Sequence, residues 1–152
     1  MLDSKDVKHD LEHPGHPRTV FGFLSAGLRK RSKDGAGPVT VLSCDNLQHN
    51  GDTARKAFTS FIKAQDPELA QWVKKNVTFP NSMVDRITPA VTPEDVKRLD
   101  AQSGVEDAAP VYSEDFIQWV IEDDFIAGRP DWEAVGVEFT DDVSAYENMK
   151  LS

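Results

Sequence analysis

Long apolar runs and cysteines are both scarce in this chain of 152 residues. No apolar run approaches the ~20 residues that cross a bilayer, so we predict no membrane segment and no membrane partner. Residues 1–6 contain no apolar stretch of the kind found in secretory signals. The single cysteine, Cys44, excludes an internal disulfide. We therefore expect a reducing, cytoplasmic setting.

Basic residues are scarce in the second half of the chain, which limits the partners to be expected. Residues 1–75 contain 12 Lys and Arg against 9 Asp and Glu, whereas residues 76–152 contain 5 against 17. Such an acidic surface argues against nucleic acid as a partner. We interpret it as a solvated acidic face. A face that meets a basic segment of a longer protein is the alternative.

Residues 1–17 are expected to form an irregular N-terminal segment. This segment contains three histidines, His9, His13 and His16. A Pro-Gly pair interrupts any helix between the last two, so the spacing is a poor match to a zinc site. We predict a solvated loop and no metal site. The alternative, a metal-binding domain, predicts that zinc is retained on dialysis.

Strands and helices alternate along the chain, which indicates an α/β fold. An apolar strand is predicted at 39–44, with Cys44 buried in it, and a polar cluster at 45–52 leads into a helix that Asn50 or Asp52 caps. Capping and periodicity predict other helices from about residues 18, 67, 93 and 144, and other strands at 77–79, 116–121 and 135–139. Successive strands within 109–139 predict that the sheet is partly antiparallel.

Polar residues after the first strand carry the candidate chemistry. Ligands of α/β sheets bind at the carboxyl ends of strands, where Asp45 and Asn46 are expected to lie. Glu147 and Lys150 form a second polar group near the far end of the chain. We predict that both ends contribute to one active site, with Asn46 and Lys150 in a common cleft.

A pair of opposite charges, Asp85 and Arg86, lies between the apolar residues Val84 and Ile87. The two side chains could form a structural ion pair. Either could equally face a pocket, and composition alone leaves both possibilities open.

Three stretches, in the same order, resemble the polyol-specific long-chain dehydrogenases. They are Ser-Cys-Asp-Asn-Leu-Gln-His-Asn-Gly at 43–51, Phe-Pro-Asn-Ser-Met-Val-Asp-Arg-Ile-Thr-Pro at 79–89 and Tyr-Glu-Asn-Met-Lys-Leu at 146–151. The resemblance covers essentially the whole chain. It implies the later part of a Rossmann-type dinucleotide-binding domain with a mixed sheet at 18–143. The first turns of a truncated C-terminal helical substrate domain are expected at 144–152.

The resemblance also implies a reaction and roles for individual residues. Such enzymes oxidise D-mannitol to D-fructose, and catalyse the reverse reduction, with NAD and without a metal; the full-length enzyme is expected to be monomeric. Lys150 matches the catalytic general base, and Asn46 matches an asparagine that holds the alkoxide. Asp85 matches a carboxylate that contacts the substrate. Glu147 matches a glutamate tied to proton exchange between the lysine and solvent.

Parts of the family pattern are absent. Gly35 and Gly37 do not make a dinucleotide fingerprint, because Pro38 follows directly and no third glycine opens a helix. The cofactor-binding residues therefore stay unknown. The family's motif also continues past Lys150, so we expect a fragment that is inactive alone. The alternative is a truncated, non-catalytic relative that acts as a binding or regulatory module.

Overall fold

The structure is a computed structural model that describes residues 2–150, so the predictions for Met1, Leu151 and Ser152 lie outside the described residues. In chain order its helices and strands are α1 Lys5–Glu12, α2 Val20–Lys33, β1 Val39–Thr40, α3 Asn50–Gln65, α4 Pro67–Asn76, β2 Val77–Thr78, β3 Ser82–Asp85, α5 Pro93–Ser103, β4 Gln118–Glu122, a 3₁₀-helix Trp132–Val135, β5 Glu138–Thr140 and α6 Ser144–Lys150. Within residues 2–150, no helix is both long and apolar enough to cross a membrane.

Residues 5–79, called the helical region below, pack four helices against the parallel pair β1 and β2. Phe61, Ile62 and Val73 are completely buried between α3, α4 and their neighbours. Phe21 of α2 stacks on Phe61 with ring centres 5.9 Å apart. Burying a side chain of this size contributes about 2 kcal/mol. This apolar cluster is therefore the main source of stability in the region.

The helix starts predicted near residues 67 and 93 are confirmed. The Asp66 carboxylate accepts a hydrogen bond from the Leu69 N–H at 3.0 Å, and Pro67 occupies the first helical position of α4. At the start of α5, Thr92 and Asp95 form a capping box in which each side chain accepts from the other's backbone N–H. These side chains satisfy N–H groups that have no partner within the helix.

Residues 82–150, called the sheet region below, contain a three-stranded sheet in the order β3-β4-β5. β3 and β4 are antiparallel, whereas β4 and β5 are parallel, which confirms the predicted mixed sheet. β5 begins at Glu138 rather than at residue 135. The reason is that the 3₁₀-helix Trp132–Val135 and the left-handed Gly136, with φ of 91°, occupy the residues before it.

The expectation of an irregular segment over residues 1–17 was wrong, because Lys5–Glu12 form helix α1. The helix is held by the completely buried carboxylate of Asp10. This carboxylate accepts hydrogen bonds from the backbone N–H of Arg18 at 2.9 Å, and from the N–H and hydroxyl of Thr19, each at 2.7 Å. One buried acceptor thus joins α1 to the start of α2.

Hydrogen bonding decides the ionisation of Asp10. Burial acts to raise the pKa of its carboxyl, but the bonds from His9, Thr19 and Arg18 outweigh burial and lower the pKa well below its usual value. Asp10 therefore stays charged in the folded chain. The backbone of Gly22 lies so close that a Cβ there would overlap the Asp10 carboxylate.

The predicted strand at 39–44 is also shorter than expected, since β1 has only two residues. The Ser43 carbonyl does not continue the ladder. It accepts hydrogen bonds from the Asn50 amide at 3.1 Å and the Ser82 hydroxyl at 2.7 Å. The chain therefore leaves the sheet, and Cys44, predicted to be buried, is exposed.

Candidate active site

A cleft of about 430 Å³ lies where the turn after β1, strand β3 and helix α6 meet. Its lining residues are Cys44, Asp45, Asn46, Leu47, Gln48, Ser82, Met83, Val84, Arg86, Glu147 and Lys150. The polar residues that follow β1 thus face the far end of the described chain. This is the place at which α/β sheets bind ligands.

Asn46 and Lys150 are in direct contact in this cleft, although 104 residues separate them. The Lys150 Nζ donates to Asn46 Oδ1 at 2.8 Å and to the Val84 carbonyl at 2.6 Å. The predicted convergence of the two side chains is therefore confirmed, whereas their catalytic roles stay predictions. Because Oδ1 faces the lysine, the amide nitrogen of Asn46 is the group left to donate to another oxygen.

Asn50 fixes the turn that carries Asn46. Its side chain is 2% exposed and donates to the carbonyls of Ser43 and Asp45 at 3.1 and 3.0 Å. Its Oδ1 accepts from the Ser82 N–H at 2.8 Å. Sequence reasoning considered Asn50 only as a helix cap. The one signal for it was an Asn-Gly pair, which ordinarily indicates a turn.

The helix cap predicted at Asn50 or Asp52 was wrong, because His49 is the residue that precedes α3. The His49 N–H donates to Oε1 of Glu147 at 2.9 Å. Glu147 is 5% exposed, and it lines the same cleft as Lys150. Hydrogen bonding with Ser144 lowers the pKa of Asp142, and electrostatic attraction by His49 adds to this effect.

A second, partly buried network joins α3, β3, β4 and the start of α6. Glu122 of β4 accepts from the Asn81 N–H at 3.1 Å, from the Asn81 amide at 3.2 Å and from the Val143 N–H at 3.4 Å. Asn81 Oδ1 in turn accepts from the Asp52 N–H at 2.9 Å. These bonds set where α6 begins, and hence where Lys150 lies.

Asp85 is not brought to the cleft with the other predicted site residues. It is half-buried on β3, whereas its neighbours Val84 and Arg86 line the cleft. The Nε of Arg86 donates to the Glu114 carbonyl at 3.1 Å. A substrate contact of Asp85 stays a prediction.

The described residues show no metal centre, and the glycine turn at residues 35–37 does not fit a pyrophosphate. No group of three or more His, Cys, Asp or Glu side chains among them is arranged to hold a metal ion. Gly35 and Gly37 have positive φ, but their turn is closed by Arg31, which donates to the carbonyls of Ala36, Gly37 and Pro38. This turn does not open a helix, so it does not fit a dinucleotide phosphate.

A family model described as the mannitol dehydrogenase Rossmann domain matches residues 12–134. The chain belongs to this family. The family resemblance and the α/β, Rossmann-type fold that it implied are therefore confirmed. The division at 18–143 and 144–152 stays a prediction.

Three relatives illustrate the similarity. The chain is 53% identical over 150 residues to a polyol:NADP oxidoreductase of Gluconobacter oxydans, and 47% identical over 156 residues to a mannitol 2-dehydrogenase of Emericella nidulans. Both matches cover 99% of this chain and 31% of the relative. The mannitol 2-dehydrogenase of Pseudomonas fluorescens, solved as a ternary complex with NAD and D-mannitol, has a TM-score of 0.91 at 50% identity, over 100% of this chain and 31% of that one. The chain spans about a third of the length of these relatives.

Proposed function

We propose that these residues contribute a general base and an alkoxide-binding amide to the NAD-dependent oxidation of D-mannitol to D-fructose and to the reverse reduction. The observation that carries the proposal is the contact of 2.8 Å between Lys150 Nζ and Asn46 Oδ1. It joins two residue types that this chemistry requires, at the carboxyl end of β1. The similarity to mannitol 2-dehydrogenases supports the choice of substrate and cofactor.

Lys150 suits the role of the base because of how its amine is held. A neutral amine has two N–H bonds and one lone pair, and the acceptors on Asn46 and Val84 match the two N–H bonds. In the neutral amine, the lone pair is then the group that takes the proton of the substrate hydroxyl. In the reverse reduction the protonated amine returns this proton to the same oxygen.

Asn46 suits the role of stabilising the substrate oxygen. Its amide nitrogen donates toward the oxygen on which negative charge develops as the proton leaves. Bound NAD supplies the acceptor of the hydride from the substrate carbon. Glu147, one turn before Lys150 on α6 and lining the same cleft, is proposed to exchange the proton of the lysine with solvent.

A chimaera tests the proposal. Residues 1–152 replace the matching segment of the Pseudomonas fluorescens enzyme, and D-mannitol-dependent NADH formation is followed by absorbance. We expect turnover by the chimaera, and a loss of kcat/KM of about 10³-fold on Lys150→Met. Lys97→Met, at an exposed lysine of α5, is the matched control and should retain activity. A folded chimaera without turnover, or one that is insensitive to Lys150→Met, would refute the proposal.

The finer specificity is tested with the same chimaera. D-mannitol, D-sorbitol and other polyols are compared as substrates, each with NAD and with NADP, because the Gluconobacter relative is named for NADP. We expect D-mannitol with NAD to give the highest kcat/KM. The 152 residues assayed alone are expected to give no turnover, since the glycine turn at residues 35–37 does not fit a dinucleotide phosphate.

A further inference from the structure

Helix α6 contacts both ends of the turn that residues 46–49 form. Lys150 donates to Asn46 at 2.8 Å, and one turn earlier Glu147 accepts from the His49 N–H at 2.9 Å. Residues three apart in a helix lie on the same face, so one face of α6 makes both contacts. The position of Asn46 against Lys150 therefore depends on where His49 is held.

The backbone of His49 is in a conformation that few side chains adopt. Its φ and ψ are 50° and 47°, and it is the one non-glycine residue with positive φ among residues 2–150. The left-handed region is unfavourable for residues with a Cβ, and Asn, Asp and His adopt it more readily than others. Such strain persists only where the surroundings fix it. The His49 carbonyl accepts from the Thr53 N–H at 3.0 Å, and the contact of the His49 N–H with Glu147 fixes the other side of the residue.

The Glu147 carboxylate holds the backbone of His49 rather than its ring. Oε1 lies within hydrogen-bond distance of the N–H, whereas Oε2 is 4.0 Å from the ring Nε2. The His49 side chain is 53% exposed, in contrast to 5% for Glu147. A buried carboxylate requires donors, and the N-terminus of α3 supplies one in a place where the helix dipole favours an anion.

We propose that His49 is a positioning residue, whose left-handed backbone directs its N–H onto Glu147 and thereby sets the Asn46 turn against Lys150. The imidazole is dispensable for this task. The proposal deepens the proposed function and depends on it for its catalytic meaning. The NMR experiments below measure the geometry of the turn without enzyme turnover. The positioning proposal and the proposed function can therefore fail separately.

Two substitutions of His49 separate the backbone from the ring. Both His49→Asn and His49→Val remove the imidazole, but Asn tolerates the left-handed conformation and the β-branched Val does not. The unaltered 152-residue chain and each variant are labelled with ¹⁵N. Hydrogen exchange of the residue-49 amide and the resonances of the Asn46 side-chain amide are then recorded by NMR.

We expect His49→Asn to keep both signals close to those of the unaltered chain. His49→Val should speed exchange of the residue-49 amide about tenfold and shift the Asn46 side-chain resonances. Ile62→Val, in the buried core of α3, is the control for lost stability. It removes one methyl group from the core and should leave the Asn46 resonances in place.

Glu147 gives a second pair of variants in case His49→Val does not fold. Glu147→Gln keeps an acceptor oxygen and should preserve both signals, whereas Glu147→Ala removes it and should reproduce the effect of His49→Val. The proposal is overturned if Asn and Val at position 49 behave alike, whether both leave the signals unchanged or both alter them. It is equally overturned if Glu147→Gln and Glu147→Ala behave alike.

Discussion

The helical region buries eight apolar residues in one cluster, whereas the corresponding cluster of the sheet region contains Met83, Val120 and Val143. Conversely, four of the six buried polar residues found within residues 2–150, Asn50, Asn81, Ser82 and Glu147, lie in or beside the cleft. Apolar burial thus stabilises the helical region, and hydrogen bonds that involve buried polar groups position the elements around the cleft, where the two regions meet. The candidate site, which must hold amide and carboxylate groups in place, is therefore positioned by hydrogen bonds rather than by apolar packing.

The largest effect should come from the apolar cluster of the helical region. Phe61→Ala removes a completely buried ring and should lower the free energy of unfolding by about 4 kcal/mol. Val143→Ala, completely buried in the sheet region, should cost only about 2 kcal/mol. Urea denaturation followed by circular dichroism measures both. Equal losses would contradict the unequal contribution of the two clusters.

The close contact between α3 and residues 79–80 should be nearly as sensitive to substitution as the apolar cluster. A Cβ at Gly51, in the first turn of α3, would overlap the Pro80 carbonyl, so Gly51→Ala should cost about 3 kcal/mol. Gly27→Ala is the matched control, since it lies in α2 with no neighbour within 4 Å of its added Cβ. It should raise stability by about 0.5–1 kcal/mol. If Gly51→Ala also stabilised the chain, the close approach of α3 to residues 79–80 would be refuted.

Removal of the buried amide that orders the cleft should have a smaller effect. Asn50→Ala leaves the Ser43 and Asp45 carbonyls and the Ser82 N–H without this partner. We expect a loss of about 2 kcal/mol, together with a change in the Asn46 side-chain resonances. Gln102→Ala, on the exposed face of α5, should change stability by less than about 0.5 kcal/mol. An Asn50→Ala variant as stable as this control would argue against a polar framework.

Asp10, the buried charge of the helical region, should make the free energy of unfolding depend on pH. Asp10→Asn places an amide donor against the N–H groups of Arg18 and Thr19 and should cost about 1.5 kcal/mol at neutral pH. The folded state lowers the pKa of Asp10, so its contribution is present above the unfolded value of about 3.9 and is lost as the pH falls below it. The stability difference from Asp10→Asn should therefore shrink below about pH 4. A pH-independent difference would contradict a charged Asp10.

Local signals predicted the elements whose partners are close in sequence. The caps at Asp66 and Thr92 use acceptors and donors three residues away. Helix α1 was missed because the donors to Asp10 lie eight and nine residues further on, after a Pro-Gly pair. The early end of β1 was missed for the same reason, since the Ser82 hydroxyl that binds the Ser43 carbonyl is 39 residues away.

The candidate site likewise has one part that the sequence predicted and another that it did not. Convergence of Asn46 and Lys150 followed from the family resemblance and from the place of a polar turn after a strand. The framework that achieves it, from Asn50, Asn81 and Glu122, could not be read from sequence, because isolated Asn and Glu residues are usually solvated. Only the fold reveals that Asn50 and Asn81 are buried and that all three side chains are paired.

A double-mutant cycle of Lys150→Met and Asn46→Ala, in the chimaera with D-mannitol and NAD, tests most directly whether the two side chains act as one unit. If they do, the double variant should lose kcat/KM by no more than about a few-fold beyond Lys150→Met alone, because groups that act together are not additive. Losses that multiply, as expected of independent residues, would contradict the account.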